Sequence, residues 1–222
     1  MRSIPTFMIL AFVLASPALA QAGPGAPADV RDVFARGFLV EDRNGDDLTD
    51  FVRTRIVLPV SPTVDEVAAA ANIAARLGYE TSALDMGIAA RGETAFDVPV
   101  VIIGGRTSFG SAAIAGLWGG PLAAGEGAIG FIAPAGPLRA GGVAVDGGDA
   151  TGLLAAAAYL AGRYPSVWGM RGTALATVPE RIGRYLVERG IVLEATTLDR
   201  VVVDAMRPGI SRALVTVRLA DA

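Results

Sequence analysis

Hydrophobic and polar residues alternate along several short segments of the chain, and other short segments are apolar throughout. Val100–Ile103 is an unbroken β-branched run, which is typical of a strand buried on both faces. Between residues 51 and 58 apolar side chains alternate with Arg53 and Arg55, which predicts a single strand with one wet face. The same reasoning predicts strands at residues 38–41, 51–58, 100–103, 128–133, 139–145, 198–205 and 212–219, with a further short strand between 79 and 90.

Other segments carry helix signals. Thr63 and Glu66 have the spacing of a capping box, which predicts a helix from there to about Leu77, where Gly78 would end it. Its predicted inner face is Val64, Val67, Ala71, Ala74 and Leu77. Further helices are predicted at residues 29–36, from 108 to about 118, at 150–163 after Asp149, and from Pro179 to Gly190.

The order of these elements indicates the fold class. Strands and helices alternate through the middle of the chain, and two extended segments close it. This order is typical of an α/β domain in which helices pack on a mixed sheet. We predict such a domain at residues 29–195, with a β-hairpin or edge strands at 196–222.

The N-terminus has the features of an export signal. Arg2 precedes an apolar run at residues 7–15, and Ala18-Leu19-Ala20 has the small residues of a cleavage site. We predict a signal peptide at 1–20, a flexible Gly/Pro/Ala leader at 21–28, and a periplasmic or secreted location. No later stretch is long and apolar enough to span a membrane, so no transmembrane span is expected in the mature chain.

The amino-acid composition excludes several kinds of catalytic and metal sites. The chain has no Cys and no His, and every basic residue is Arg. Catalytic triads with His, thiol nucleophiles, zinc sites built on His or Cys, and Schiff-base lysines are therefore excluded within this chain. The net charge is −3 and the Arg residues are scattered, so no nucleic-acid partner is expected.

An acidic loop follows the first predicted strand and predicts a calcium site. Its oxygen-bearing residues stand at alternate positions, as a short loop around a hard cation requires. Position 12 of the loop is Arg53 rather than Glu, so the loop is not an EF-hand. The alternative is a solvated polar turn between two strands. The predicted ligands are the side chains of Asp42, Asn44, Asp46 and Asp50 and the carbonyl of Leu48.

This loop resembles the calcium loops of the FG-GAP and VCBS type, which join two strands and read Asp-x-Asn-Gly-Asp-Gly-x-x-Asp-Leu. The resemblance covers residues 42–51 and implies a calcium-type β-hairpin loop near the N-terminus. Asp47 stands where the family has its second Gly, and Phe51 takes the apolar position. The matching residues are Asp42, Asn44, Gly45, Asp46 and Asp50.

A glycine turn after the buried strand is a weaker candidate site. A turn between a strand and a helix can hold an anion on its amides, but it is more often only a tight connection. Three further hypotheses stay open. The first is a second acidic site at Asp146-Gly147-Gly148-Asp149, which is more often a strand end and a helix cap. The others are an acid/base pair among Glu93, Asp97 and Glu126, and sugar stacking on Trp118, Tyr164 or Trp168. The candidate anion-binding residues are Gly104, Gly105, Arg106, Thr107 and Ser108.

Residues 55–163 also resemble the non-catalytic α/β domain that precedes the barrel in hexosaminidases and α-glucuronidases. A similar arrangement occurs in periplasmic subunits of cellulose synthesis. The resemblance implies an α/β domain without catalytic residues of its own, associated with carbohydrate. The matching pieces are Ala74-Ala75-Arg76-Leu77-Gly78, Ile103-Gly104, and Gly148-Asp149 with Gly152.

The expected function is therefore an exported, non-catalytic module with a calcium loop. Its role would be structural or carbohydrate-associated, with a polysaccharide or a larger envelope assembly as partner. The alternative is a carboxylate-dependent glycoside hydrolase, or an accessory fragment of one.

Overall fold

The computed structural model describes residues 29–83, 87–92, 95–105, 116–162, 177–206 and 210–220. These residues form a seven-stranded mixed sheet, a separate two-stranded sheet, and three α-helices. The predicted α/β fold with a mixed sheet is therefore confirmed. The elements are a 3₁₀ turn (Val30–Asp32), β1 (Val40–Glu41), β2 (Phe51–Val52), β3 (Arg55–Leu58), α1 (Val64–Glu80), β4 (Ala89–Arg91), β5 (Val100–Ile103), β6 (Glu126–Ile132), β7 (Gly142–Gly147), α2 (Ala150–Ala161), α3 (Thr177–Val187), β8 (Leu193–Asp204) and β9 (Ile210–Leu219).

The main sheet has a parallel half and an antiparallel half. Its strand order is β4-β3-β5-β7-β6-β8-β9. Strands β4, β3, β5 and β7 run parallel, whereas β6 is antiparallel to both β7 and β8, and β9 is antiparallel to β8. The last two strands thus form a hairpin at one edge of the sheet, and the predicted boundary at residue 195 falls inside β8.

Strand β5 is central to the parallel half, and all four of its side chains are buried. Val101 and Ile103 join the core cluster that contains the inner faces of α1 and α2. Val100 and Ile102 join a second cluster on the opposite face, with Phe96 and Leu138. The predicted burial of this strand on both faces is confirmed, as is the packing of Leu77 against the sheet.

Helix α1 begins with the predicted capping box. The Thr63 hydroxyl accepts the Glu66 amide at 3.2 Å, and the Glu66 carboxylate accepts the Thr63 amide at 2.7 Å. The predicted end at Gly78 is wrong, because the helix continues to Glu80, where an Arg76–Glu80 ion pair spans the last turn. A glycine inside a helix costs only about 1 kcal/mol, so such local contacts can offset it.

The predicted inner face of α1 is correct only in part. Val64 and Val67 are exposed, at 84% and 45% of their surface. Helix α1 packs on the neighbouring α2 as well as on the sheet, and small side chains permit such a close approach. The buried residues of α1 are Glu66, Ala69, Ala70, Ile73 and Leu77.

The single strand predicted at residues 51–58 is wrong, because the chain changes partners at Thr54. Before it, the Arg53 amide donates to the carbonyl of Leu39 at 2.9 Å. After it, the Arg55 amide donates to the carbonyl of Pro99 at 3.2 Å. The buried Thr54 hydroxyl also donates to Pro99, at 2.9 Å, and this contact fixes the change of direction. Strand β2 therefore belongs to the two-stranded sheet and β3 to the main sheet.

Several other predicted boundaries differ from the observed ones by a few residues. The helix expected at residues 29–36 is only a 3₁₀ turn, although Asp29 caps it as predicted. Strand β8 begins at Leu193 and β9 at Ile210, both earlier than predicted. Of the helix expected from residue 108 to 118, the structure describes only residues 116–118, which form a turn. The rest of that helix and the predicted signal peptide and leader lie outside the described residues. In the part of the chain that the structure describes, no helix is long and apolar enough to cross a membrane.

Candidate functional site

The acidic loop at residues 42–50 lies between the paired strands β1 and β2. Val40 pairs with Val52 and Glu41 pairs with Phe51 in antiparallel register. The Asp50 amide also donates to the carbonyl of Glu41 at 3.0 Å. Val40 and Val52 are both buried in the core cluster shared with α1 and α2. The ends of the loop are therefore held side by side by strands that are packed on the domain.

Backbone amides inside the loop hold all four side chains that were predicted as ligands. Each carboxylate or amide oxygen accepts from a residue two to seven positions away in sequence, so the loop closes around its own side chains. The Gly45 amide, aided by that of Asp47 and by the Arg36 guanidinium, holds the pKa of Asp42 below its ordinary value. The pairs are Asp42 with the amides of Gly45 (2.7 Å) and Asp47 (2.9 Å), Asn44 with Asp46 (3.0 Å), Asp46 with Leu48 (2.9 Å), and Asp50 with Arg43 (2.9 Å).

Two residues of the loop adopt the left-handed conformation that closes the turn. Gly45 has φ of 78° and Asp47 has φ of 67°. Asp47 occupies the position at which the FG-GAP and VCBS pattern has Gly. It is the one non-glycine residue with positive φ in the described ranges. Because Asp tolerates this conformation better than most residues, the turn closes without the second Gly.

A cation from the chain itself lies against the loop. The Arg36 guanidinium donates to Asp42 Oδ2 and to Asp47 Oδ1, each at 3.0 Å. On the other side, Arg43 pairs with Glu41 at 3.1 Å and stacks on the ring of Phe51. The sequence pattern of the loop does not predict that Arg36, six residues before Asp42, pairs with the loop carboxylates. Arg36 partly neutralises the carboxylates in this conformation.

The loop carboxylates do not converge on one point. Among the residues that the structure describes, no three or more His, Cys, Asp or Glu side chains are grouped as a metal centre requires. The Asn44 side-chain nitrogen Nδ2 donates to Asp46 Oδ2 at 3.1 Å, so this part of the Asn44 side chain cannot act as a metal ligand in this conformation. The ligand set Asp42, Asn44, Asp46, Leu48 and Asp50 therefore stays a prediction.

The glycine turn at the end of β5 is used within the protein. Gly104 has φ of +72°, and its amide donates to the carbonyl of Val145 at 2.8 Å. The Gly105 amide donates to Asp146 Oδ1 at 3.1 Å. A Cβ at Gly104 would lie 3.2 Å from Glu66 Oε1, so a second carboxylate is adjacent. Two carboxylates beside the turn oppose an anion electrostatically, and both described amides already have acceptors.

The remaining members of the predicted anion site, Arg106, Thr107 and Ser108, lie outside the described residues. The described part of the turn fits a tight strand connection better than an anion cradle. Asp146 accepts three donors, the amides of Gly105 and Gly147 and the Trp118 indole at 3.1 Å. Trp118 thus belongs to the packing at this end of the sheet, whereas Tyr164 and Trp168 are not described.

This end of the sheet is nonetheless where α/β folds usually bind ligands. The chain leaves β3 toward α1 on one face, whereas the residues that follow β5 reach Trp118, which packs on the other face. Connections that diverge to opposite faces leave a crevice beyond the carboxyl ends of the strands. Glu66 and Asp146 lie at this edge, one at the start of α1 and the other near the end of β7.

Asp97 and Glu126, two of the three candidates for an acid/base pair, lie far apart. Asp97 precedes β5 and pairs with Arg139 at 2.9 Å. Glu126 begins β6, which is antiparallel, so it lies beside the carboxyl end of β7 and pairs with Arg212 at 2.6 Å. The topology therefore puts Asp97 and Glu126 at opposite ends of the strands, and Glu93 lies outside the described residues.

Comparison with known proteins adds no assignment: the chain matches no protein-family model and no curated protein sequence.

Proposed function

We propose that this protein is an exported, non-catalytic α/β module whose hairpin loop at residues 42–50 binds calcium. Its role is structural or carbohydrate-associated, in the cell envelope or outside the cell. The proposal combines the spacing of the loop side chains with the export features of the N-terminus. A polysaccharide or a larger envelope assembly is the proposed partner.

The observation that carries the calcium proposal is the set of amide contacts inside the loop. Asp42, Asn44, Asp46 and Asp50 each accept at least one backbone amide. An ionised carboxylate has about four lone-pair sites, so one amide bond leaves further acceptor capacity for a cation. The amides restrict the orientations of these side chains, which lowers the ordering cost of coordination.

Calcium binding would require two local changes. The Arg36 guanidinium would leave Asp42, because a divalent cation and a guanidinium compete for the same oxygen. The Asn44 side-chain nitrogen would release Asp46 Oδ2, which frees that carboxylate oxygen for the ion. Both side chains are exposed, so neither change disturbs the core. Arg36 is thereby expected to weaken calcium binding.

The described acidic residues elsewhere support a module rather than a hydrolase. Glu66 and Asp149 cap helices α1 and α2. Asp146, which lies near Glu66, accepts the amides of Gly105 and Gly147 and the Trp118 indole. Asp97 and Glu126 are in ion pairs at opposite ends of the strands. A glycoside hydrolase needs two carboxylates facing each other across a pocket at about 5–10 Å. These carboxylates instead form helix caps, hydrogen bonds and ion pairs, so each of them has a structural role in the fold.

Calorimetry with calcium, magnesium and chelator tests the proposal. We expect the purified protein to bind calcium with a dissociation constant of roughly 10⁻⁴ to 10⁻³ M, the usual range for extracellular modules. A hundredfold excess over that constant would stabilise the fold by about 2.7 kcal/mol, observable as a raised melting temperature.

Two variants make the test specific to the loop. Asp46→Ala removes one predicted ligand and is expected to abolish the calcium heat. Asp97→Ala removes an exposed carboxylate outside the loop and is expected to keep it. Arg36→Gln is expected to tighten binding. If the parent gives neither heat nor a calcium-specific shift at millimolar ion, the loop is a solvated polar turn.

A further inference from the structure

The acidic loop contains an asparagine followed directly by a glycine. Asn44 and Gly45 are both exposed. No described atom beyond the chain neighbours of Gly45 lies within 4 Å of the position that a Cβ would take there. Because glycine has no side chain, its backbone nitrogen can approach the side-chain carbon of the preceding asparagine closely. The pair therefore has the chemistry of a site that deamidates spontaneously in water.

Deamidation at this pair runs through a cyclic imide. The Gly45 nitrogen gives its proton to solvent and attacks Asn44 Cγ, so that a new C–N bond forms. The bond from Cγ to Nδ2 breaks, and Nδ2 takes a proton from solvent and leaves as ammonia. Water then opens the ring at either carbonyl carbon, which gives aspartate or its β-linked isomer, isoaspartate. The reaction consumes only water, and the loop gains a negative charge.

A hydrogen bond to a carboxylate opposes the first step of this reaction. The Gly45 amide donates to Asp42 Oδ1 at 2.7 Å. This contact is the largest of those that hold the pKa of Asp42 below its ordinary value, so the carboxyl is ionised at neutral pH. If the Gly45 nitrogen lost its proton, it would carry negative charge at close range to that anion. The closed loop therefore keeps the attacking nitrogen protonated.

The Asn44 side chain is restrained as well. Its Oδ1 accepts the Asp46 amide at 3.0 Å, and its Nδ2 donates to Asp46 Oδ2 at 3.1 Å. Since Nδ2 leaves Cγ in the reaction, its contact with Asp46 has to break. Both partners of the reacting pair are thus held by carboxylates of the same loop.

We propose that Asn44 is a spontaneous deamidation site and that the closed loop slows the reaction through the hydrogen bond from Gly45 to Asp42. Opening of the loop releases the Gly45 amide and permits the attack. The aspartate product lacks the Nδ2 donor and places a further carboxylate beside Asp46, so like charges then oppose reclosure. Because ammonia is lost, the modified fraction records how often the loop has opened. This holds whether or not the loop binds calcium.

Peptide mapping by mass spectrometry tests this inference on the full chain. The protein is incubated with chelator at one mildly alkaline pH, either folded or unfolded in guanidinium chloride, and sampled over time. The Asn44→Asp variant supplies the chromatographic standard for the aspartate product, and isoaspartate is identified by its different elution. We expect Asn44 to convert at least about tenfold faster in the unfolded chain, because a hydrogen bond to a charged group is lost.

Asn72 is the internal control, as the other asparagine of the chain. It lies inside α1 and is followed by Ile73, which is fully buried. The branched side chain of Ile73 hinders attack by its own nitrogen, and the amide donates within the helix. We expect no conversion at Asn72 in the folded protein.

Three variants isolate the restraint. Asp42→Ala removes the acceptor of the Gly45 amide and is expected to bring the folded rate at Asn44 close to the unfolded rate. Asp46→Ala frees Nδ2 and is expected to accelerate conversion less. Asp97→Ala removes an exposed carboxylate outside the loop and is expected to leave the rate unchanged. Circular dichroism checks that each variant is folded.

Three results would overturn the inference. The first is an equal rate at Asn44 in the folded and unfolded parent, since the loop would then give no restraint. The second is slower conversion in Asp42→Ala, which would show that Asp42 acts as the base that removes the Gly45 proton. The third is the absence of conversion at Asn44 even in the unfolded chain.

Discussion

The central parallel strands of the main sheet and its terminal hairpin bury their residues to very different degrees. In the centre of the parallel half, β5 has four residues and β3 has four, and all but Arg55 of these eight side chains are buried. In the hairpin that closes the antiparallel half, β8 has twelve residues and β9 has ten, and no residue of β9 is fully buried. Helices α1 and α2 contribute to the core beside the short strands. Short strands thus depend on apolar packing, whereas the long hairpin depends more on pairing and side-chain contacts between its strands.

The largest expected effect comes from truncating one leucine in each half. Leu77→Ala removes a fully buried side chain from α1 and is expected to destabilise the fold by about 2–5 kcal/mol. Leu214→Ala makes the same chemical change at a half-buried position of β9 and is expected to cost much less. Denaturant unfolding of both variants measures the difference. Equal costs would show that the hairpin is packed as tightly as the parallel half.

Glycine substitutions give the next effect. A Cβ at Gly142 would lie 2.1 Å from the carbonyl oxygen of Val100, because β5 and β7 approach closely there. Gly142→Ala is therefore expected to cost about 1–3 kcal/mol through overpacking.

Gly183→Ala in α3 is the matched substitution beside the antiparallel half. The nearest atom to a Cβ there is the Thr196 methyl at 3.7 Å, an ordinary contact. The substitution is expected to stabilise the fold by up to about 1 kcal/mol, since Ala favours a helix. Thermal melting of the two variants should give shifts of opposite sign, and shifts of the same sign would contradict this account.

The smallest effect concerns the polar contacts of the hairpin. Asp199→Asn is expected to raise the free energy of unfolding slightly at neutral pH, because it removes a half-buried charge whose pKa burial raises. The difference from the parent should shrink as the pH falls through that pKa, where the parent carboxyl is neutral as well. Urea titrations at neutral and acidic pH measure it. A difference that grows toward acidic pH would give the opposite sign and refute the prediction.

The features that the sequence predicts correctly are encoded within short stretches of the chain. Val100–Ile103 was identifiable because an apolar run is a local signal. Thr63 and Glu66 were identifiable because a capping box is encoded within four residues. The sequence predicts the start of β8 five residues too late, because residues 193–197 mix polar and apolar side chains in a strand stabilised by its neighbours.

Contacts between distant residues were not predictable from the local pattern. The break at Thr54 depends on Pro99, and the closure of the acidic loop depends partly on Arg36. The spacing of residues 42, 44, 46 and 50 predicts four side chains that point into one loop, and in the structure each of them accepts a backbone amide of that loop. The spacing does not predict the contact of Arg36 with Asp42, because the loop pattern specifies no partner outside the loop.

The hydrogen bond from Leu198 to Asp29 has a consequence for biosynthesis. It joins residues 169 positions apart, so it cannot form until nearly the whole described chain has been synthesised. Contacts of such long sequence separation carry a large loop-closure cost and form slowly. The residues around Val30 and Val33 must therefore wait, with their apolar side chains uncovered, until β8 is available. During that interval a chaperone has access to an apolar segment that the folded protein conceals.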